Sequence, residues 1–380
     1  MSQRLTLGIA PVVAGLAVIA TTFGLLNEHF LAPENLTNLM LQMAATGTIS
    51  LGIIMVLLLG EIDLSAGSVS GLAAVVMTIL SVHEHLPVGA AIALALVAGA
   101  AIGTLHGVLF TRLGMPSFVV TLAGLIGWQG LLLYLLGRGG TINLPFSGFI
   151  AKLSDTWLPT WLSWSIAVPA IAVWSAATAL QRRLRVTAGL PVTPFWRAAA
   201  PIAGVGVLLA GTIVLLGADR GVPLLLVLFV TMVVALDLGL RHTVIGQRIF
   251  AVGGNPEAAR RAGINVNAVR VIAFAACGTF AAIGGILAAS RLAAVNQSSG
   301  GSDILLMAIA AAVIGGASLF GGRGRTYAAL LGILVIQSIT NGMLLLNVDS
   351  SIRFMVTAGV LIIAVAMDSL ARKGAPGAAR

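Results

Sequence analysis

The chain has 380 residues, 58% hydrophobic and 9% charged, with a formal net charge of +9 and a mean hydropathy of +1.06. A soluble domain carries about 25% charged residues, so 21 basic and 12 acidic side chains cannot cover a water-facing surface of this size. Soluble enzymes and disordered tails are excluded, and the apolar runs lack the alternation of a membrane β-barrel.

What remains is an all-α, polytopic membrane helical bundle. A spanning helix needs about 17–25 mostly apolar residues. Charge-free windows lie at 5–27, 35–60, 64–83, 85–111, 113–137, 156–181, 198–218, 221–236, 271–290, 304–322, 326–348 and 354–367. They predict ten to twelve spans in one transmembrane domain, residues 1–380. Window 5–27 reads as a retained first span, because another apolar run follows at once rather than a soluble domain. Window 64–83 is rich in glycine and serine and reads as a broken or partial span.

Alternating the twelve windows from an N-terminus inside leaves Arg138, Lys152, Arg220, Arg291 and Arg353 outside and the other 16 of the 21 basic residues inside. That bias predicts both termini in the cytoplasm. Basic groups set between apolar runs are orientation signals, so no nucleic-acid partner is expected.

Along the chain, GEIDLSAGSVSGL (60–72) sets Glu61 and Asp63 at a window edge. Acids near a membrane interior mark functional positions. Asp63 or Ser65 suits a helix cap, and both are candidates to line a pathway or to pack helices. Residues 138–155 read as an irregular outer loop, and 181–197 as a solvated basic loop.

Residues 241–270 form a cytoplasmic region containing GGNPEAARRAGINV (253–266). Asn255 is placed to cap a helix, Pro256 to occupy its first position and Glu257 its first turn. Arg260 and Arg261 suit its last turn, and Gly263 the left-handed residue that ends it. A two-turn helix this polar cannot cross lipid and needs a partner surface, either its own bundle or another protein.

Gly284, Gly285, Gly315, Gly316, Gly321, Gly322 and Gly324 read as close helix contacts. The GGASLFGGRGRT run lacks the GKS or GKT ending of a phosphate loop. Asn296 sits at an outer edge, and Gln337 and Asn341 share a helix face. Such amides either bond a polyol or tie helices together. Cys277 alone makes no intrachain disulfide or cysteine cluster. HExxH, GxSxG and CxxC are absent, so no catalytic, metal or cofactor site is expected.

Six stretches carry a resemblance: EIDLSAGS (61–68), PSFVVTLAG (116–124), RGVP (220–223), GQRIFAVGGNPEAARRAGINV (246–266), AAAVIGGASLFGG (310–322) and MDS (367–369). In their order and spacing the chain resembles the permease subunit of bacterial ABC monosaccharide importers, the ribose/xylose permease family, and most nearly its xylose branch. The likeness runs over about residues 35–370.

It implies a bacterial inner or plasma membrane location and a second permease subunit, as a homodimer. A cytoplasmic ABC ATPase dimer would hydrolyse the ATP, and a periplasmic or lipoprotein sugar-binding protein would deliver the sugar. By resemblance, Gly253, Gly254, Asn255, Pro256, Glu257, Ala258, Ala259, Arg260, Arg261, Ala262 and Gly263 couple the chain to the ATPase. Leu305, Leu306 and Met307 stand where family members commonly carry acidic residues, which leaves the sugar open between a pentose such as xylose and another monosaccharide. The alternatives are a secondary transporter of a small polar solute, which would need ion-coupling residues of its own, and a membrane scaffold.

Overall fold

The structure, a computed structural model, describes residues 3–192 and 194–373. Arg380, counted above among the inside charges, lies outside the described residues. Each of the twelve windows holds one helix. The first five are α1 (Gln3–Leu26), α2 (Pro33–Leu57), α3 (Ala66–Thr78, continued by a wider turn over Ile79–His83), α4 (Val88–Arg112) and α5 (Ser117–Leu136). Next come β1 (Thr141–Asn143), α6 (Phe149–Ser154), β2 (Trp157–Leu158), α7 (Thr160–Thr187), α8 (Phe195–Gly217), β3 (Val222–Pro223) and α9 (Leu224–His242). Two short helices, α10 (Val244–Gly254) and α11 (Pro256–Arg261), precede α12 (Val266–Leu292) and β4 (Ala294–Asn296). The chain closes with α13 (Ser302–Ile314), α14 (Tyr327–Leu345) and α15 (Ser350–Lys373).

Among the described residues, nine helices are long and apolar enough to cross a membrane, and 12–26, 302–314 and 350–363 are shorter apolar helical stretches. The chain is a multi-pass membrane protein.

Contacts sort the connections into two ends. At one end Arg270 pairs with Glu61, Thr326 bonds Asp237, and Gly322 bonds Leu58. At the other end Asn27 bonds Leu345, Arg220 bonds Asn38, and Ser154 bonds Ser290. The two sets are those that strict alternation of twelve windows assigns to opposite sides. Arg241, Arg260, Arg261, Arg270, Arg323 and Arg325 sit on the connections gathered at the first end, called the basic end below.

Four sequence expectations change. Residues 181–197 are not all loop, because α7 runs on to Thr187 and α8 starts at Phe195. Residues 138–155 are not irregular: β1 pairs antiparallel with β4, and α6 docks on α12, where Ser290 donates to the Ile150 carbonyl at 2.6 Å. Window 304–322 does not hold a full span. Its helix, α13, has 13 residues, about 20 Å long against a hydrocarbon core of about 30 Å. Region 241–270 holds a second helix, α10, opened by the Thr243 hydroxyl, which accepts from the Gly246 N–H at 3.1 Å.

The centre of the bundle is α2 and α12. In lipid, helices gain no water-driven attraction, so close packing at small residues holds them. Gly99, Gly103 and Gly107 recur every fourth residue on α4 and lie against Gly278, Phe274 and Val271 of α12. A side chain on Gly278 would overlap the Gly99 carbonyl; one on Gly285 would overlap that of Ser70.

Gly278→Val should therefore cost about 1–3 kcal/mol through overpacking, read as a lower midpoint of thermal unfolding in detergent. Gly127→Val is the control, because nothing lies within 4 Å of that position. Equal midpoints for the two variants would remove backbone contact as the organising force.

Candidate functional site

Two helices are broken inside the bundle, and the candidate site is built on them. After α2 the chain leaves the helix over Glu61–Ser65 and passes alongside α5. Ser117, the first residue of α5, donates to Glu61 at 2.7 Å; Thr121 donates to the Ile62 carbonyl at 3.3 Å. Ser65 lies against Gly124. Seven residues of helix separate Ser117 from Gly124, so α3 begins about 10 Å into the bundle. From the far end, residues 297–301 enter through tight turns before α13, with the Ser299 N–H on the Asn296 carbonyl and the Gly301 N–H on that of Ser298. Gly300 and Gly301 pack on Gly67, and Ser299 on Gly71. The first turns of α3 and α13 thus abut within the bundle and their helices leave toward opposite ends.

Polar groups in such a place must be bonded. Trp128 Nε1 donates to His106 Nε2 at 3.0 Å. Indole nitrogen only donates, so that ring nitrogen accepts and the His106 proton resides on Nδ1. Nδ1 then donates to Ser65 Oγ at 3.2 Å, and Ser65 Oγ donates to Asp63 Oδ1 at 2.6 Å. The Ser65 N–H also reaches Asp63 Oδ1, at 2.8 Å. Asp63, Ser65 and His106 are all buried. The chain of bonds has one direction and ends on a carboxylate at the start of a helix, where negative charge is favoured.

At the basic end the predicted short helix is present in every part. Asn255 accepts from the Ala258 N–H at 3.0 Å, Pro256 holds the first position, and Glu257 pairs with Arg260 at 2.6 Å. Gly263 has φ +81°, Ile264 N–H reaches the Ala259 carbonyl, and Gly263 N–H reaches that of Arg260. This is the paired closing pattern of a glycine-terminated helix. Ala259 is buried beneath it, while Glu257, Ala258, Arg260, Arg261 and Ala262 are exposed.

Two links join this helix to the broken one. Arg270, on the first turns of α12, meets Glu61 at 3.2 Å and lies 4.7 Å from the centre of the Phe110 ring. Gly253 packs backbone to backbone on Leu58 and Gly322, and Gly321 (φ +82°) on Gly60 (φ +77°) and Gly253. Three segments distant in sequence meet there with no side chain between them.

The predicted pathway residues separate in space. Asn341 and Asn35 exchange amide bonds of 2.8 and 3.0 Å, and Gln337 bonds Gln42, so α14 is tied to α2. Asp63 and Ser65 lie in the bonded chain described above. Asn296 lines a cavity of about 140 Å³ with Thr46, Ser70, Ser298 and Ser299, over a floor that includes Ala74 and Ala289. A cavity of about 150 Å³ admits a six-membered ring. The rest of the lining is apolar and includes Ile49, Leu292 and Ile304, so the cavity suits an uncharged ring. His106 and Trp128 escaped the sequence reading, because their partners are distant in the chain.

Residues 35–366 match the family described as branched-chain amino acid transport system / permease component. The chain is 34% identical to the xylose transport system permease protein XylH of Haemophilus influenzae, over 98% of both chains. It is 33% identical to the Escherichia coli protein of that name, over 98% of this chain and 94% of the other. With the ribose import permease protein RbsC of Escherichia coli it shares 31% identity, over 93% of this chain and 91% of that one. No solved structure matches it.

His106→Ala should leave the Trp128 indole N–H without its acceptor and the Ser65 hydroxyl without the donor that bonds it, and cost about 1–3 kcal/mol. Adding Ser65→Ala should then cost less than it does alone, because both variants break one connected network. Strictly additive losses in thermal unfolding would show that no such network exists.

Proposed function

Because the chain belongs to the permease-component family that its residues 35–366 match, we propose that it is the membrane subunit of an ATP-driven monosaccharide importer, with a pentose such as xylose as first candidate. The likeness to xylose permeases over 98% of the chain supports the sugar class. The observation that carries the mechanism is the exposed helix α11, joined to the broken helix α3 through the Arg270–Glu61 pair and the glycine junction.

The basic end faces the cytoplasm, as the placement of arginines favours, and both termini lie there. An ABC ATPase dimer grips residues 253–263 and performs the hydrolysis; this chain contributes no catalytic group. Closure of that dimer displaces α11, and Arg270 and Gly253 deliver the displacement to α3, α12 and the loop before α14. A periplasmic or lipoprotein binding protein delivers the sugar at the far end, and a second copy of the chain completes the pathway. The Asn296 cavity is the outer station of that pathway. Its hydroxyl lining bonds a sugar weakly, and weak bonding lets the solute move on. Asp63 and Ser65 hold the α3 start at a fixed depth, and Gln337 and Asn341 hold α14 to α2, so the pathway wall keeps its shape.

The test is reconstitution with the cognate ATPase and binding protein and a panel of sugars. Arg260→Glu with Arg261→Glu should lower sugar-stimulated ATP hydrolysis by about tenfold, equivalent to about 1.4 kcal/mol of lost coupling, with membrane insertion unchanged. Hydrolysis that still responds fully to sugar would defeat the coupling assignment. Ala288→Phe, which fills the cavity that Ala288 lines, should stop uptake yet leave ATP hydrolysis in place. Undiminished uptake would move the pathway elsewhere.

A further inference from the structure

The hairpin of α7 and α8 has no part in the coupling described above. The two helices meet each other and the bundle near the far end, where Leu158, Ile213, Leu216, Val222 and Leu226 form a small core. Toward the basic end they separate. A cleft of about 830 Å³ opens there, lined by Ile171, Ala179, Ala199, Ile202, Ala203 and Gly206, within the range of about 300–1,000 Å³ that encloses a bound small molecule. Arg182 and Arg183 line its mouth, and Arg185 lines a smaller adjoining recess with Arg182. Arg197 stands on the first turn of α8 and faces Trp196 at 5.1 Å; Arg182 faces Phe195 at 6.0 Å. No acidic residue occurs from 156 to 218.

The dimensions identify the occupant. Arg182 lies 22 residues beyond the start of α7, about 33 Å and so one membrane thickness from it. Trp157, Trp161 and Trp164 stand near the far end of the hairpin and Phe195 and Trp196 near the basic end, the two aromatic girdles of a membrane-spanning unit. The cleft reaches from Phe195 to Gly206, 11 residues or about 16 Å, close to the depth of one hydrocarbon leaflet at about 15 Å. Arginines at headgroup level above an apolar slot one leaflet deep match an anionic phospholipid. We propose that the α7–α8 cleft is a binding site for one such lipid, its phosphate held by Arg182, Arg183 and Arg185 and an acyl chain lying between the helices. The proposal needs membrane insertion and goes beyond the transport reading, which has its own assay.

The full-length protein, delipidated in detergent, would be titrated with dioleoyl phosphatidylglycerol or dioleoyl phosphatidylcholine and its bound lipid counted by native mass spectrometry. Phosphatidylglycerol should bind in preference. Its retention should fall about a hundredfold when Arg182, Arg183 and Arg185 are all changed to Gln, given about 1 kcal/mol per arginine. Ala203→Phe, which fills the slot and keeps every arginine, should also expel it. A control with Arg248, Arg260 and Arg261 changed to Gln should retain it. Equal retention of the two lipids, or equal loss from both arginine triples, would overturn the proposal. So would displacement by inorganic phosphate alone, which indicates a soluble-anion site. Loss of self-association in the Arg182 triple with lipid binding unchanged would overturn it in favour of a protein occupant.

Discussion

Where a chain leaves the helix inside a bilayer, its backbone N–H and C=O groups have no water to fall back on. That constraint governs the centre of this protein. Residues 61–65 and 297–301 both enter the bundle outside any helix, and Asp63, Ser65 and Gly300 are buried there. Serine and threonine hydroxyls of α5 supply partners along the first segment, and Asp63 serves the backbone where α3 begins. Glycines of α3 give the second segment room to lie against it. The small residues that look like a packing motif in the sequence are thus the condition for two broken helices.

From this follows the division of labour among the polar residues. The amides of α14 and the chain from Trp128 to Asp63 are satisfied within the protein and keep helices in register. Arg270 and Glu61 join a surface element to a buried one, at the place where α4, α5 and α12 also converge. The hydroxyls around the cavity beside Asn296 line open space. In the proposed mechanism, bracing, transmission and solute contact therefore fall to different residues.

Much of this was legible beforehand, for physical reasons. Bilayer thickness imposes a length on every span, so the twelve windows each contain a helix, and loop charge sorts their ends. The α11 helix was readable residue by residue because capping is local: Asn255, Pro256 and Gly263 act within a few positions of themselves. Pairings at long range were not readable. Glu61 gives no hint of Arg270, nor His106 of Trp128. Hydropathy also could not show that window 304–322 holds a short helix followed by glycine-rich turns, because an apolar run has the same composition whether coiled or extended. The β1–β4 ribbon was missed because strands of three residues carry too little pattern to see.

The junction of Gly60, Gly253 and Gly321 carries a consequence for how movement spreads. Packed side chains act as cushions, since a rotamer change takes up a small shift before the main chain feels it. Here the three main chains touch directly, so there is nothing compressible between them. A displacement of α10 must reach the segment before α3 and the one before α14 together and undiminished. The joint behaves as a pin rather than a spring, and even a conservative alanine at Gly253 would force its neighbours apart.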